Sequence, residues 1–178
     1  EGQIMKSMRK FGIIELCLVM AISLATLPIS NAAEYTQAKK SNSAVYDFNG
    51  KTVAGKSFLG KSLAGKPTVL WFWAPWCTVC RGESPNLVAL SKSFKGKINL
   101  IGVAGLGPVN DMKGFIKDTK TGGFQHLADE SGLIWNKFEI VSQPSFIFIS
   151  KSGVAERIAG SLSKSELFSM TKDLLKKA

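Results

Sequence analysis

Cys77 and Cys80, separated by Thr78-Val79, are the strongest chemical signal in the chain. Two intervening residues in the first turn of a helix bring both sulfurs within bonding range. The first sulfur then lies at the helix N-terminus, where unpaired backbone N–H groups and the helix dipole favour a thiolate. A thiolate attacks a disulfide in another molecule, and the second thiol releases the mixed disulfide. Two other readings of the pair compete. A structural staple is disfavoured because stabilisation falls as the closed loop shortens, and this loop is minimal. A tetrahedral metal site would lack ligands, since His126 is the only histidine.

The elements around the pair fit that chemistry. Residues 68–73 (TVLWFW) form a continuous β-branched and aromatic run, the pattern of a strand buried on both faces. A helix is predicted over 77–94, with Leu87, Leu90 and Phe94 on one face and a kink at Pro85. A second buried strand is expected at 98–104, a helix at 109–120, a short strand at 125–128 and a helix at 131–138. Residues 145–149 (SFIFI) and 154–158 flank Lys151-Ser152-Gly153 and read as an antiparallel hairpin. Ser163 and Glu166 have capping-box spacing at the start of a terminal helix. The order of elements indicates an α/β sandwich around a mixed sheet. Before the first buried strand, Gly-Lys recurs at 50, 55, 60 and 65, with Asn49-Gly50 as a turn signal, and a hairpin and loop are expected.

Residues 50–57 (GKTVAGKS) also satisfy the phosphate-loop pattern, but that site needs a helix directly after the serine. Gly60, Gly65 and Pro67 cannot sustain one, and neither buried strand ends in an aspartate for magnesium. The glycines at 102–107 have the wrong spacing for a dinucleotide site.

The N-terminal part has a different character. Lys6, Arg9 and Lys10 precede an apolar stretch, interrupted at Glu15, whose clean run is 16–27. Twelve residues are too few for a comfortable membrane span and suit a signal-peptide core. Ser30-Asn31-Ala32, or Asn31-Ala32-Ala33 next, fits a cleavage site. Residues 1–33 therefore read as a signal peptide with Met8 as the start and 1–7 as an upstream extension. An uncleaved membrane anchor is the other reading. Polar residues 34–43 read as a linker and 44–178 as one domain. Removing 1–33 takes away three of the 23 Lys/Arg and two of the 13 Asp/Glu, leaving +9 from an overall +10. The lysines are scattered without aromatic interleaving, so a solvated basic exterior is expected and nucleic acid is not.

The stretch 72–80 (FWAPWCTVC), extended by Arg81, Glu83 and Pro85, resembles the active site of the extracytoplasmic DsbE/TlpA/ResA branch of thioredoxin-fold thiol–disulfide oxidoreductases. Gln143-Pro144 before the SFIFI strand is similar to the family's cis-proline pair. Residues 102–105 and 127–129, with the W-F-W run, are similar to secreted actinobacterial DsbE-like proteins. The resemblance covers roughly 44–178 and implies a thioredoxin-like fold with an inserted helix-strand segment. It implies Cys77 as the attacking cysteine, Cys80 as the resolving one, and Glu83 as a handler of the buried thiol's proton. It also implies Trp76, Gln143 and Pro144 as substrate-binding residues. Clients would be cysteine-containing exported proteins, with a membrane-bound redox partner, and no cofactor or metal is expected. The location would be secreted or periplasmic.

Two departures bear on direction. Thioredoxin has a buried aspartate in the strand behind its active site, where this chain has Trp71. Thr78-Val79 carries neither the histidine of strong oxidants nor the proline of many reductants. These residues do not decide the direction of electron flow; the resemblance to the actinobacterial proteins implies oxidation of clients slightly over reduction, although Arg81, Glu83 and Pro85 are shared with cytochrome-maturation reductants. The competing functions are a peptide-binding module with an inert disulfide and a copper chaperone using Cys77, Cys80 and His126.

Overall fold

A computed structural model describes residues 43–177; the expected leader (1–33) and all but the last residue of the linker lie outside them. Seven strands form one mixed sheet: β1 (Asn49–Thr52), β2 (Ser57–Leu59), β3 (Thr68–Trp73), β4 (Asn99–Ala104), β5 (Gln125–Ala128), β6 (Ser145–Ile149) and β7 (Ala155–Ala159). Their order is β2-β1-β5-β4-β3-β6-β7. Strands β3, β4 and β5 are parallel, and both edges are closed by antiparallel hairpins. The helices are α1 (Thr78–Ser93), α2 (Val109–Asp118), α3 (Leu133–Lys137) and α4 (Lys164–Lys176).

The two-residue period of β3 explains why its whole length is apolar. Val69, Trp71 and Trp73 enter a core with α1, α2 and α4, through Leu87, Leu90, Phe115 and Leu167. Leu70 and Phe72 enter the opposite core with Ile101, Val103, Ile134 and Trp135. The strand is thus central and covered on both faces, as its composition predicts. Between β4 and β6 lie α2, β5 and α3, and β5 joins the sheet between β4 and β1, a helix-strand segment where one is expected.

Several boundaries differ from the sequence expectation. Asn49 and Gly50 are not a turn but the start of β1, which pairs with β2 and, through Lys51 and Thr52, with β5. The turn falls at 53–55, where Gly55 takes φ +84° and donates its N–H to the Thr52 carbonyl at 2.8 Å. The phosphate-loop look-alike is therefore this hairpin. Helix α1 runs through Pro85 as one element. Helix α3 starts at Leu133 because left-handed Gly132 precedes it and the Asp129 carboxylate accepts the Trp135 N–H at 2.8 Å. The Ser163–Glu166 capping box forms as expected.

Candidate active site

Cys77 and Cys80 are joined by a disulfide, with S–S 2.06 Å and Cα–Cα 5.3 Å. Strand β3 ends at Trp73, and Ala74–Trp76 carry the chain into α1, whose N-cap is Cys77. The cap bond is chemically informative: the Cys80 backbone N–H donates to Cys77 Sγ at 3.0 Å. An orphan helix donor is therefore aimed at the sulfur that would carry negative charge after reduction. Cys80 is fully buried, while Cys77 retains 5% exposure. Both cysteines are thus buried, and the little exposure the pair keeps lies on Cys77.

Glu83 lies three residues beyond Cys80, on the same helix face. It is buried at 5% exposure. Its Oε1 accepts the Trp71 indole N–H at 2.7 Å, and its Oε2 accepts the Leu162 backbone N–H at 3.3 Å. Burial pushes its carboxyl up to about 7, while the two donors pull in the opposite direction. The sequence marks Trp71 only as a departure from the thioredoxin pattern and does not point to its bond with Glu83. The available signal was that an indole in a fully buried strand needs an acceptor for its N–H. The Leu162 donor left no trace in the sequence.

Trp76 is 62% exposed, and its indole N–H donates to the Leu106 carbonyl at 2.8 Å. Leu106 is itself exposed and adopts φ +56°. With exposed Val79 between the cysteines, this gives an apolar border beside the disulfide. The Gln143-Pro144 peptide is cis. Pro144 is buried and Gln143 partly so. The next residue, Ser145, pairs with Phe72, so Gln143 and Pro144 lie at the end of the sheet where β3 delivers the chain to Cys77.

Arg81 is drawn away from the sulfurs: its guanidinium lies 4.8 Å over the Phe115 ring and 3.4 Å from the Asp118 carboxylate. His126 is buried on the Trp73 side of the sheet, where burial lowers it to about 4 and Nε2 pairs with the Thr121 carbonyl at 3.0 Å. Among the described residues, no group of three or more His, Cys, Asp or Glu side chains is placed to hold a metal ion, so Cys77, Cys80 and His126 form no such group. No helix among them is long and apolar enough to cross a membrane.

Comparison with known proteins agrees with this geometry. Residues 42–158 match the AhpC/TSA family model. The soluble secreted antigen MPT53 of Mycobacterium tuberculosis is 30% identical over 137 residues, covering 77% of this chain and 78% of that one. The thiol–disulfide oxidoreductase ResA of Bacillus cereus is 30% identical over 130 residues, covering 71% and 70%. Among solved structures, MTB dsbF superposes with a TM-score of 0.72 at 38% identity, over 74% of this chain and 97% of that one. A secreted Mycobacterium tuberculosis disulfide oxidoreductase homologous to E. coli DsbE gives 0.69 at 31%, over 73% and 98%. The thioredoxin-like fold, the disulfide at the head of α1 and these similarities together place the chain in the AhpC/TSA family, as a DsbE-like thiol–disulfide oxidoreductase.

Proposed function

We propose that the protein acts outside the cytoplasm and introduces disulfides into cysteine-containing exported proteins. A client thiolate attacks Cys77 Sγ, the Cys77–Cys80 bond breaks, and Cys80 leaves as a thiolate that takes a proton from Glu83. A second client thiolate then attacks the client sulfur of the mixed disulfide, and Cys77 leaves as a thiolate. The client loses two electrons, the enzyme gains them, and a disulfide-bearing redox partner in the membrane takes them away.

The observation that carries the oxidative direction is the 3.0 Å bond from the Cys80 N–H to Cys77 Sγ. It favours the Cys77 thiolate, and stabilising the reduced form makes a dithiol pair more oxidising. Glu83, with a carboxyl near 7, is matched to giving and accepting a proton at neutral pH. Trp76 offers an apolar contact for a client segment, and the backbone of Gln143, ahead of cis-Pro144 whose carbonyl is taken by the Gly160 N–H, offers it groups to pair with. Export is supported by the basic and apolar pattern of residues 1–33 and by the secreted relatives.

The test uses oxidised protein mixed with reduced, unfolded ribonuclease. Ribonuclease disulfides should appear in step with loss of the Cys77–Cys80 disulfide, and Cys77→Ser should abolish their formation. Ribonuclease thiols that persist while the enzyme stays oxidised would overturn the reading.

A further inference from the structure

Trp71 is fully buried in the centre of the sheet, yet its one polar atom is not left among apolar neighbours. It is spent on Glu83 Oε1, at 2.7 Å. Neutral packing of the indole does not require this partner to be a carboxyl. The ring is already held by Trp73 at 5.7 Å and Phe115 at 6.1 Å between centroids. Glu83 in turn has few ways to be held. Its other oxygen receives only the long Leu162 bond of 3.3 Å.

No cation pairs with Glu83 among the described residues. Arg81, two residues before it on α1, is engaged by Asp118 and Phe115. His126, whose ring is 6.4 Å from that of Trp71, is kept neutral by burial above pH 4 or so. Cys80, on the Glu83 face of α1, is the remaining titratable group once the disulfide opens. A carboxyl without a counter-ion in an apolar pocket takes its orientation from its hydrogen bonds, and the shorter one comes from Trp71.

We propose that Trp71 is a positioning residue for thiol–disulfide exchange: its indole N–H fixes one oxygen of Glu83 and so holds the carboxyl on the Cys80 face of α1. The inference rests on the proposed proton-handling role of Glu83 and assigns the residue that makes it work. It also gives the W-F-W strand a part in the chemistry beyond filling the core. Because the indole can only donate, it favours the ionised carboxylate over the neutral acid and opposes the effect of burial.

Full mature protein, labelled with ¹⁵N-tryptophan and ¹³C-glutamate, supplies the test by NMR. In the wild type, the Trp71 indole N–H and the Glu83 carboxyl resonances should titrate with one common midpoint. Trp71→Phe keeps an aromatic ring and removes the donor. It should raise the carboxyl midpoint by roughly one pH unit, a tenfold weaker acid. The pH profile of exchange should move the same way. In a Glu83→Gln background, Trp71→Phe should leave the profile where Glu83→Gln alone put it, whereas a loss through packing would add to it. An unmoved carboxyl midpoint, or an equal profile shift with Gln at 83, overturns the inference. If Trp71→Phe does not fold, the wild-type titration decides: an indole resonance that does not follow the carboxyl is contrary. A Glu83→Gln profile identical to wild type removes the proton-handling reading itself. A changed Glu83→Gln profile with a silent Trp71→Phe removes only the role of Trp71.

Discussion

The Cys80 backbone N–H donates to Cys77 Sγ at 3.0 Å, so the amide of one cysteine of the pair solvates the sulfur of the other. The same geometry makes Cys77 the N-cap of α1 and leaves Cys80 buried inside its first turn. The two thiols of the reduced protein should therefore differ sharply. Cys77 should be alkylated by iodoacetamide at pH 7 at least about tenfold faster than Cys80. Mass spectrometry of partially alkylated protein checks this. Cys80→Ser should accumulate a mixed disulfide through Cys77, visible on a non-reducing gel.

Glu83 and His126 predict opposing pH effects on stability. Burial raises the Glu83 carboxyl from 4.5 to about 7, so the folded state holds a proton that the unfolded chain has lost. That contribution is fully present below pH 4.5 and disappears as pH rises through 7. Burial lowers His126 from 6.5 to about 4, so the unfolded chain takes up a proton that the folded state refuses. That contribution is fully present above pH 6.5 and disappears as pH falls through 4. Between these limits the slopes cancel in the wild type. Urea unfolding should show Glu83→Gln losing stability steadily from pH 6.5 to 4.5. His126→Leu, whatever its cost at pH 7, should lose it from pH 4.5 to 7. The gap between the two variants should change by roughly 2–5 kcal/mol across that range. Parallel curves for the two variants would contradict the assigned burial.

Gly102 in β4 is required by its neighbours. A Cβ there would lie 2.1 Å from His126 Nδ1 and 2.8 Å from Trp73 Nε1. Both nitrogens are buried without a partner among the described residues, and both rings are packed against aromatic neighbours, Trp73 on Phe115 and His126 on Phe124, so neither can yield freely to an added methyl. Gly102→Ala should destabilise the protein by about 1–3 kcal/mol, read as a lower urea midpoint with an unchanged slope. Gly114→Ala, where an added Cβ meets nothing within 4 Å, is the matched control, and relief of backbone entropy in α2 should make it neutral or stabilising.

Much of this architecture is legible in local pattern. The TVLWFW run declares a strand buried on both faces, the spacing of Cys77 and Cys80 places a reactive pair at a helix start, and Ser163 with Glu166 marks the last helix. What local pattern could not show depends on pairing across the fold. Asn49-Gly50 has the composition of a turn, yet both residues pair with Leu59 and Phe58 of β2, and the strand they open is held further along, at Lys51 and Thr52, by β5 some 75 residues later. The partner of Glu83 is on β3, twelve residues back, and the other donor is 79 residues ahead. The apolar border at Trp76 depends on Leu106, thirty residues on, being turned out by a left-handed backbone.

The reduction potential of the Cys77–Cys80 pair tests the account most directly. Protein comprising residues 34–178 is equilibrated with graded glutathione buffers at pH 7, and free thiols are trapped with a mass tag. A potential above about −200 mV, toward the range of periplasmic oxidants, is the predicted result. A value at or below about −270 mV, in the range of thioredoxin and of structural disulfides, would contradict client oxidation by this protein.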